Sequence, residues 1–146
     1  MLTTTAVGRV FDYSYCIGMV AMSGEGFATP VDFALGANGV VYVVNRGAAE
    51  GVGVRITKCT VEHEFISQFG SAGAEDGQLT WPTSIDLDRD EHVYVSDEHL
   101  NRISIFDKEG TFLDKWGQPG SGAGELQGPS GLAFDREDNL YVVDSL

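Results

Sequence analysis

An all-β fold built from repeated four-stranded antiparallel sheets is what the sequence predicts, and three observations predict it. One phrase occurs three times: Pro30-Val31-Asp32-Phe33 leads to Val41-Tyr42-Val43-Val44-Asn45, Pro82-Thr83-Ser84-Ile85 to Val93-Tyr94-Val95-Ser96-Asp97, and Pro129-Ser130-Gly131-Leu132 to Leu140-Tyr141-Val142-Val143-Asp144. In each copy the closing Asn or Asp follows the Pro by fifteen positions (45−30, 97−82, 144−129). A fixed internal period decides architecture before any single residue is interpreted. Finally, no window of helical length carries apolar residues at helical spacing, whereas short alternating or β-branched runs recur throughout.

The prolines are 52 and then 47 positions apart (82−30, 129−82), and one insertion explains the mismatch. Asp97 to Arg102 spans five positions, but Asn45 to Arg55 spans ten; beyond each Arg the copies run in step to Gly70 and Gly117 and on to the next Pro. The extra residues, 47–54, are Gly-rich, which a loop tolerates and a strand does not. Within the second copy four strands are expected: Ser84 to Asp88, His92 to Ser96, the alternating Arg102 to Phe106, and Thr111 to Trp116 after a Glu109-Gly110 turn. Four strands per repeat at a period in the mid-forties define a β-propeller blade. The fold class is therefore all-β: a partial β-propeller with about two complete blades, half of a third, and an N-terminal strand from the closing blade.

The expected organisation is an N-terminal segment, 1–25, followed by blades over 26–146, divided as 26–70, 77–117 and a truncated 124–146. Gly18 lies twelve positions before Pro30, the spacing that Gly70 and Gly117 keep to their prolines, so Val10 to Ile17 is expected to form the outer strand of a preceding blade. The third copy stops after its second strand, at Asp144-Ser145-Leu146, which reads as the N-terminal part of a longer propeller. Alone, such a piece exposes apolar blade faces and an unpaired sheet edge, a recipe for marginal stability or aggregation.

Pro-Ser-Gly-Leu-Ala-Phe-Asp (129–135), Asn-Leu-Tyr-Val-Val-Asp (139–144), Asn-Arg-Ile-Ser-Ile-Phe (101–106) and Gly-Thr-Phe-Leu-Asp-Lys-Trp-Gly (110–117) resemble the NHL repeat family over roughly residues 26–146. The first copy departs from the pattern with Asn45 in place of Asp, and Asp86 stands where the other copies have Ala34 and Ala133. The resemblance implies a six-bladed ring, monomeric at full length. It also implies a range of functions: protein- or ligand-binding scaffolds, RNA-binding regions, and a few enzymes. Among the last are metal-dependent lyases and, in related six-bladed propellers, lactone hydrolases with metal ligands near the axis.

Composition narrows that range. With 22 Asp plus Glu against 9 Lys plus Arg the net charge is −13, which disfavours phosphate backbones and anionic membrane surfaces. The start, Met1-Leu2-Thr3-Thr4-Thr5, lacks the basic residues and apolar run of a signal peptide, and no stretch is long enough for a membrane-spanning helix; the expected compartment is the cytoplasm. Cys16 and Cys59 fall in outer strands of different repeat units and are expected to stay unpaired. His63, His92 and His99 show no zinc spacing, and Gly120-Ser121-Gly122-Ala123-Gly124 leads into a strand rather than a helix, so it is no phosphate cradle. No Ser-His-Asp or paired-acid arrangement stands out, and no cofactor is evident.

In an up-and-down blade alternate connections share a face. The loops between blades therefore lie on the same face as the 45–55 and 97–102 loops, and the long Gly-rich segments gather there. Loops carried by a rigid scaffold are where binding concentrates. Asp97 and Arg102 bracket one such loop, as Asn45 and Arg55 bracket its counterpart; ligand recognition and a repeated polar clasp are the two readings, and repetition favours the clasp. Arg46 has no basic counterpart (Glu98, Ser145), and Trp81 replaces Gly128, so these two blade-specific residues are the better candidates for ligand contact. Asp32 and Asp86 sit on innermost strands among Ala34, Ser84, Gly131 and Ala133, where they could line the axis and hold a divalent cation or bond neighbouring amides. The sequence thus points to a binding scaffold for a protein or small-molecule ligand, with a metal-dependent lyase or lactone hydrolase as the alternative.

Overall fold

A computed structural model of the chain describes residues 3–21 and 24–145. Two four-stranded antiparallel sheets dominate it. Strands β3 (Pro30–Leu35), β4 (Val40–Asn45), β5 (Arg55–Thr60) and β6 (Phe65–Phe69) form blade 1. Strands β9 (Pro82–Leu87), β10 (Val93–Asp97), β11 (Arg102–Phe106) and β12 (Phe112–Trp116) form blade 2. The hairpin β13 (Pro129–Phe134) and β14 (Leu140–Asp144) starts blade 3. Two short strands, β7 (Ser71–Ala72) and β8 (Gln78–Leu79), lie in the loop between blades 1 and 2. Each repeat Pro opens an innermost strand and pairs in register with the Asn or Asp fifteen positions on: Pro30 with Asn45, Pro82 with Asp97, Pro129 with Asp144. The fold is a partial β-propeller.

Strand β4 reads as a nearly unbroken apolar run because both of its faces are buried. On β4, Tyr42 and Val44 point toward blade 2, where they join Ile56, Leu79, Ile85, Val93, Val95 and Phe106 in the main core. Val41 and Val43 point the other way and pack with Cys59, Ile17, Phe27 and Val61. Tyr94, on the far face of β10, meets Phe134 of blade 3 edge-on at 4.9 Å. Successive wedges thus share apolar seams, each seam made by alternate residues of neighbouring blades.

The connections between blades repeat in detail. Ten positions before each repeat Pro the chain bridges in parallel to the residue three before it: Val20 to Phe27, Ala72 to Leu79, Pro119 to Leu126. The next residue in each loop donates its amide to the same partner: Ala21 to the Phe27 carbonyl, Gly73 to Leu79, Gly120 to Leu126. The turn that starts each loop needs glycine. Gly117 has φ +94°, and a Cβ there would come within 2.7 Å of Leu126 and 2.9 Å of the Asn101 carbonyl oxygen. Gly18 and Gly70 repeat the arrangement at φ +84° and +73°, facing Phe27 and Leu79.

The N-terminal segment differs from expectation. The strand foreseen over 10–17 is shorter, β2 (Arg9–Asp12), and pairs with β1 (Thr3–Ala6) across a Val7-Gly8 turn. The rest, to residue 19, carries no strand. Its side chains lie on blade 1 instead: the Tyr15 hydroxyl donates to the Val61 carbonyl and its ring sits 4.9 Å from that of His63. A strand needs a hydrogen-bonded neighbour, and none stands beside this stretch among the described residues.

Candidate functional site

The loop-rich face carries a recess of about 710 Å³ between the 47–54 insertion and the loop that joins blades 1 and 2. That volume lies within the few hundred to about 1,000 Å³ usual for small-ligand sites. Arg46, Ala48, Ala72, Thr80, Trp81 and His99 are among its lining residues. The insertion has its own short turn, with Glu50 at φ +64° between Ala49 and Gly51. Gly47 donates its amide to Ala28, and Ala48 to Val52, which closes the loop into a wall.

Arg46 and Trp81, singled out separately in the sequence, meet at the mouth of this recess. The guanidinium carbon stands 5.1 Å above the indole ring, a cation–π arrangement. Arg46 Nε donates to the Pro82 carbonyl at 3.2 Å, and a guanidinium nitrogen lies 3.9 Å from the Glu98 carboxylate. Trp81 keeps about half of its surface exposed. His99, noted in the sequence only as an unsuitable zinc ligand, completes the rim. Its contribution was invisible in the sequence because the 98–101 loop reaches this recess only through the packing of blade 2 on blade 1.

Asp97 and Arg102 lie below the site. Both are buried, and their partners are main-chain groups. The Asp97 carboxylate accepts the amides of Thr80 at 2.7 Å, Trp81 at 3.1 Å and Leu100 at 3.0 Å. Arg102 donates to the carbonyls of Ala74, Glu75 and Gln78 at 2.8–2.9 Å. Blade 1 repeats both devices: Asn45 Oδ1 accepts the Ala28 amide, and Arg55 donates to the Ala21 and Gly26 carbonyls. In blade 3, Asp144 accepts the Gln127 amide. The repeated clasp thus holds the loop between blades as well as the short loop it brackets. In blade 2 it fixes the backbone of Trp81, so the buried carboxylate positions the exposed ring.

At the axis, Asp32 and Asp86 stitch inner strands together. One Asp32 oxygen accepts from the Ser84 hydroxyl and the Ile85 amide, and the other from its neighbour Phe33. Ser84 Oγ in turn accepts the Leu132 amide, and Asp86 accepts the Phe134 amide at 2.7 Å. A hard divalent cation takes six to eight oxygen donors. Asp32 and Asp86 are engaged with amides of neighbouring strands, so a cation held between them would need further oxygen donors; no cluster of three or more His, Cys, Asp or Glu suited to a metal occurs among the described residues.

Comparison with known proteins agrees with the fold. A family described as a six-bladed β-propeller matches residues 81–146. No curated protein matches the sequence. Among solved structures, a gluconolactonase from Xanthomonas campestris is 18% identical, with a TM-score of 0.59 over 82% of this chain and 36% of its own. A streptogramin B lyase is 20% identical, with a TM-score of 0.60 over 79% of this chain and 34% of its own. Virginiamycin B lyase from Staphylococcus aureus, solved with quinupristin, is 12% identical, with a TM-score of 0.57 over 80% of this chain and 34% of its own. The chain therefore spans about a third of the length of these propellers, and at such identities the likeness is one of fold.

Proposed function

We propose that the chain contributes an NHL-type binding scaffold whose loop-rich face takes up a ligand with a flat apolar group and a hydrogen-bond acceptor. The observation that carries the reading is the half-exposed Trp81 ring capped by Arg46 at the mouth of the recess. Trp81 offers a stacking surface, and Arg46 and His99 offer polar contacts at its edge. Such residues, unique to one blade and set on a rigid repeat, suit recognition rather than scaffolding. The ligand is a small molecule or an aromatic side chain of a partner protein. Nucleic acid is disfavoured by the net charge of −13.

The test is a titration with benzoate, indole-3-carboxylate and a short Trp-containing peptide, followed by tryptophan emission and thermal shift. Saturable binding by at least one probe, lost in Trp81→Ala and weakened in Arg46→Ala, supports the reading. No saturable response to any probe, or binding unchanged in Trp81→Ala, overturns it. The metal-dependent enzyme reading draws on the lactonase and lyase among the propellers of similar fold. Its axial carboxylates, Asp32 and Asp86, are committed to neighbouring strands here. Stoichiometric divalent metal in the purified protein, lost in Asp32→Ala or Asp86→Ala, would favour that alternative.

A further inference from the structure

A second, smaller recess of about 340 Å³ adjoins the first, lined by Trp81, Glu98, His99 and Asn101. Trp81 and His99 line the larger recess too, so this pair stands where the two meet. Arg46 lines the larger recess and not the smaller, which leaves the Glu98 carboxylate to set the charge of the smaller one.

Backbone bonds hold this second recess in shape. The Glu98 amide donates to the Trp81 carbonyl at 3.1 Å, which keeps the two residues side by side. Asn101, at φ +51°, accepts the Gly128 amide on Oδ1 at 2.8 Å and donates from Nδ2 to the His99 carbonyl at 3.3 Å. Its side chain is thus engaged with the loops of blades 2 and 3. Glu98 is different. Its side chain is 46% exposed, and its one ion pair among the described residues, to Arg46, spans 3.9 Å, longer than a hydrogen bond. The carboxylate therefore keeps room for a further donor.

We propose that the smaller recess takes an ammonium or guanidinium group of the ligand whose flat part lies in the larger one, an inference that rests on the reading of Trp81 as a stacking surface. Three observations lead to a cation. An indole face attracts positive charge through its quadrupole, and this ring already holds one cation, the Arg46 guanidinium at 5.1 Å. Glu98 supplies a counter-ion beside the same ring. The whole chain, at −13, draws cations and repels anions. The combination is also specific to blade 2. Arg46 and Ser145 stand where blade 2 has Glu98, and Thr29 and Gly128 where it has Trp81. Ring and carboxylate thus depart from the repeat together, which suits recognition and not the scaffold. The ligand accordingly carries an aromatic ring with a positive charge close by, as an aralkyl amine or an aromatic–basic pair in a peptide does.

Matched probes test the charge alone. Benzylamine is compared with benzyl alcohol, and the peptide acetyl-Phe-Lys-amide with acetyl-Phe-Gln-amide, by calorimetry on the purified protein at pH 8 and low salt. The cationic member of at least one pair is expected to bind about tenfold more tightly, from a cation–π contact and a partly exposed ion pair together. That ratio should fall toward one in Glu98→Gln, and in wild type at high salt. Such a preference in either pair supports the proposal, and the pair that shows it separates a small-molecule ligand from a segment of a partner protein. Equal affinity for both members of each pair, with binding lost in Trp81→Ala, overturns the proposal and leaves the stacking reading standing. A charge preference that survives in Glu98→Gln also overturns it. No binding by any probe, or binding unchanged in Trp81→Ala, overturns both.

Discussion

Removing the buried clasp beneath Trp81 tests whether this site is positioned from below. Asp97 is fully buried and accepts three amides, from Thr80, Trp81 and Leu100. Hydrogen bonds to a charged group contribute about 1.5–3 kcal/mol each, but the two loops that donate them are only partly buried, so water satisfies some of the released amides. The net cost of Asp97→Ala is therefore expected to be about 3–4 kcal/mol, a large share of a typical domain stability of about 5–15 kcal/mol. Asp97→Asn should cost less, about 1–2 kcal/mol, because blade 1 shows how an amide fills this place. Asn45 accepts the Ala28 amide while its Nδ2 donates to Thr57 Oγ1. The residue matching Thr57 is Ser104, whose buried hydroxyl has no partner among the described residues and stands ready for such a donor. Urea unfolding at fixed protein concentration, followed by circular dichroism and by tryptophan emission, measures both variants. Equal losses for Ala and Asn, or an Ala variant within about 1 kcal/mol of wild type, would refute the clasp. Trp81 emission is expected to shift in Asp97→Ala before global unfolding, since its backbone anchor is gone.

Other expectations follow from single residues. Gly117→Ala combines φ +94° with contacts of 2.7 and 2.9 Å and should cost about 2–3 kcal/mol in urea unfolding, whereas Gly124→Ala, at φ +80° in open space, should cost about 1 kcal/mol. Arg46→Ala should leave the urea midpoint nearly unchanged, since a partly exposed cation–π contact contributes about 0.5–1 kcal/mol, yet shift Trp81 emission. The Asp107 carboxylate is held below its usual value of 3.8, first by the Thr111 amide, and Asp135 likewise, first by the Asn139 side chain. A depressed folded-state value means stabilisation that is present above pH 4 and lost as pH falls through the folded value. Asp107→Asn should therefore flatten the acid limb of a stability–pH curve and leave its slope near neutrality unchanged.

The blades were legible in the sequence because the Pro-to-Asx interval fixes strand register, and a one-residue slip would turn Tyr42 or Val95 to the wrong face. The insertion at 47–54 was legible because the copies resume their step after Arg55. The clasp was read only halfway. The interval from Asp97 to Arg102 suggested a loop bracket, but nothing in it showed that both side chains reach back to residues 74–81. Contacts between repeats are the harder part, since period gives each residue its place within a blade and not its partner across a seam. Arg46 and Trp81 stood out singly for breaking the repeat, and their stacking came from the packing of two blades. Asp32 was open to two readings, a cation ligand or an acceptor for neighbouring amides, and the Ile85 amide stands within its reach. The segment from Tyr13 to Ile17 has the spacing of a fourth strand, but it lies against blade 1 through Tyr15 and Ile17 with no strand beside it among the described residues.

The central claim is that β3, β9 and β13 are equivalent innermost strands lying side by side around one axis. Nuclear Overhauser contacts on isotope-labelled protein test it most directly. Cross-peaks from the Ile85 amide to the Asp32 β-protons, and from the Phe134 amide to the Asp86 β-protons, are the predicted result. Cross-peaks from those amides to other strands, with none to Asp32 or Asp86, would contradict the propeller arrangement and every site built on it.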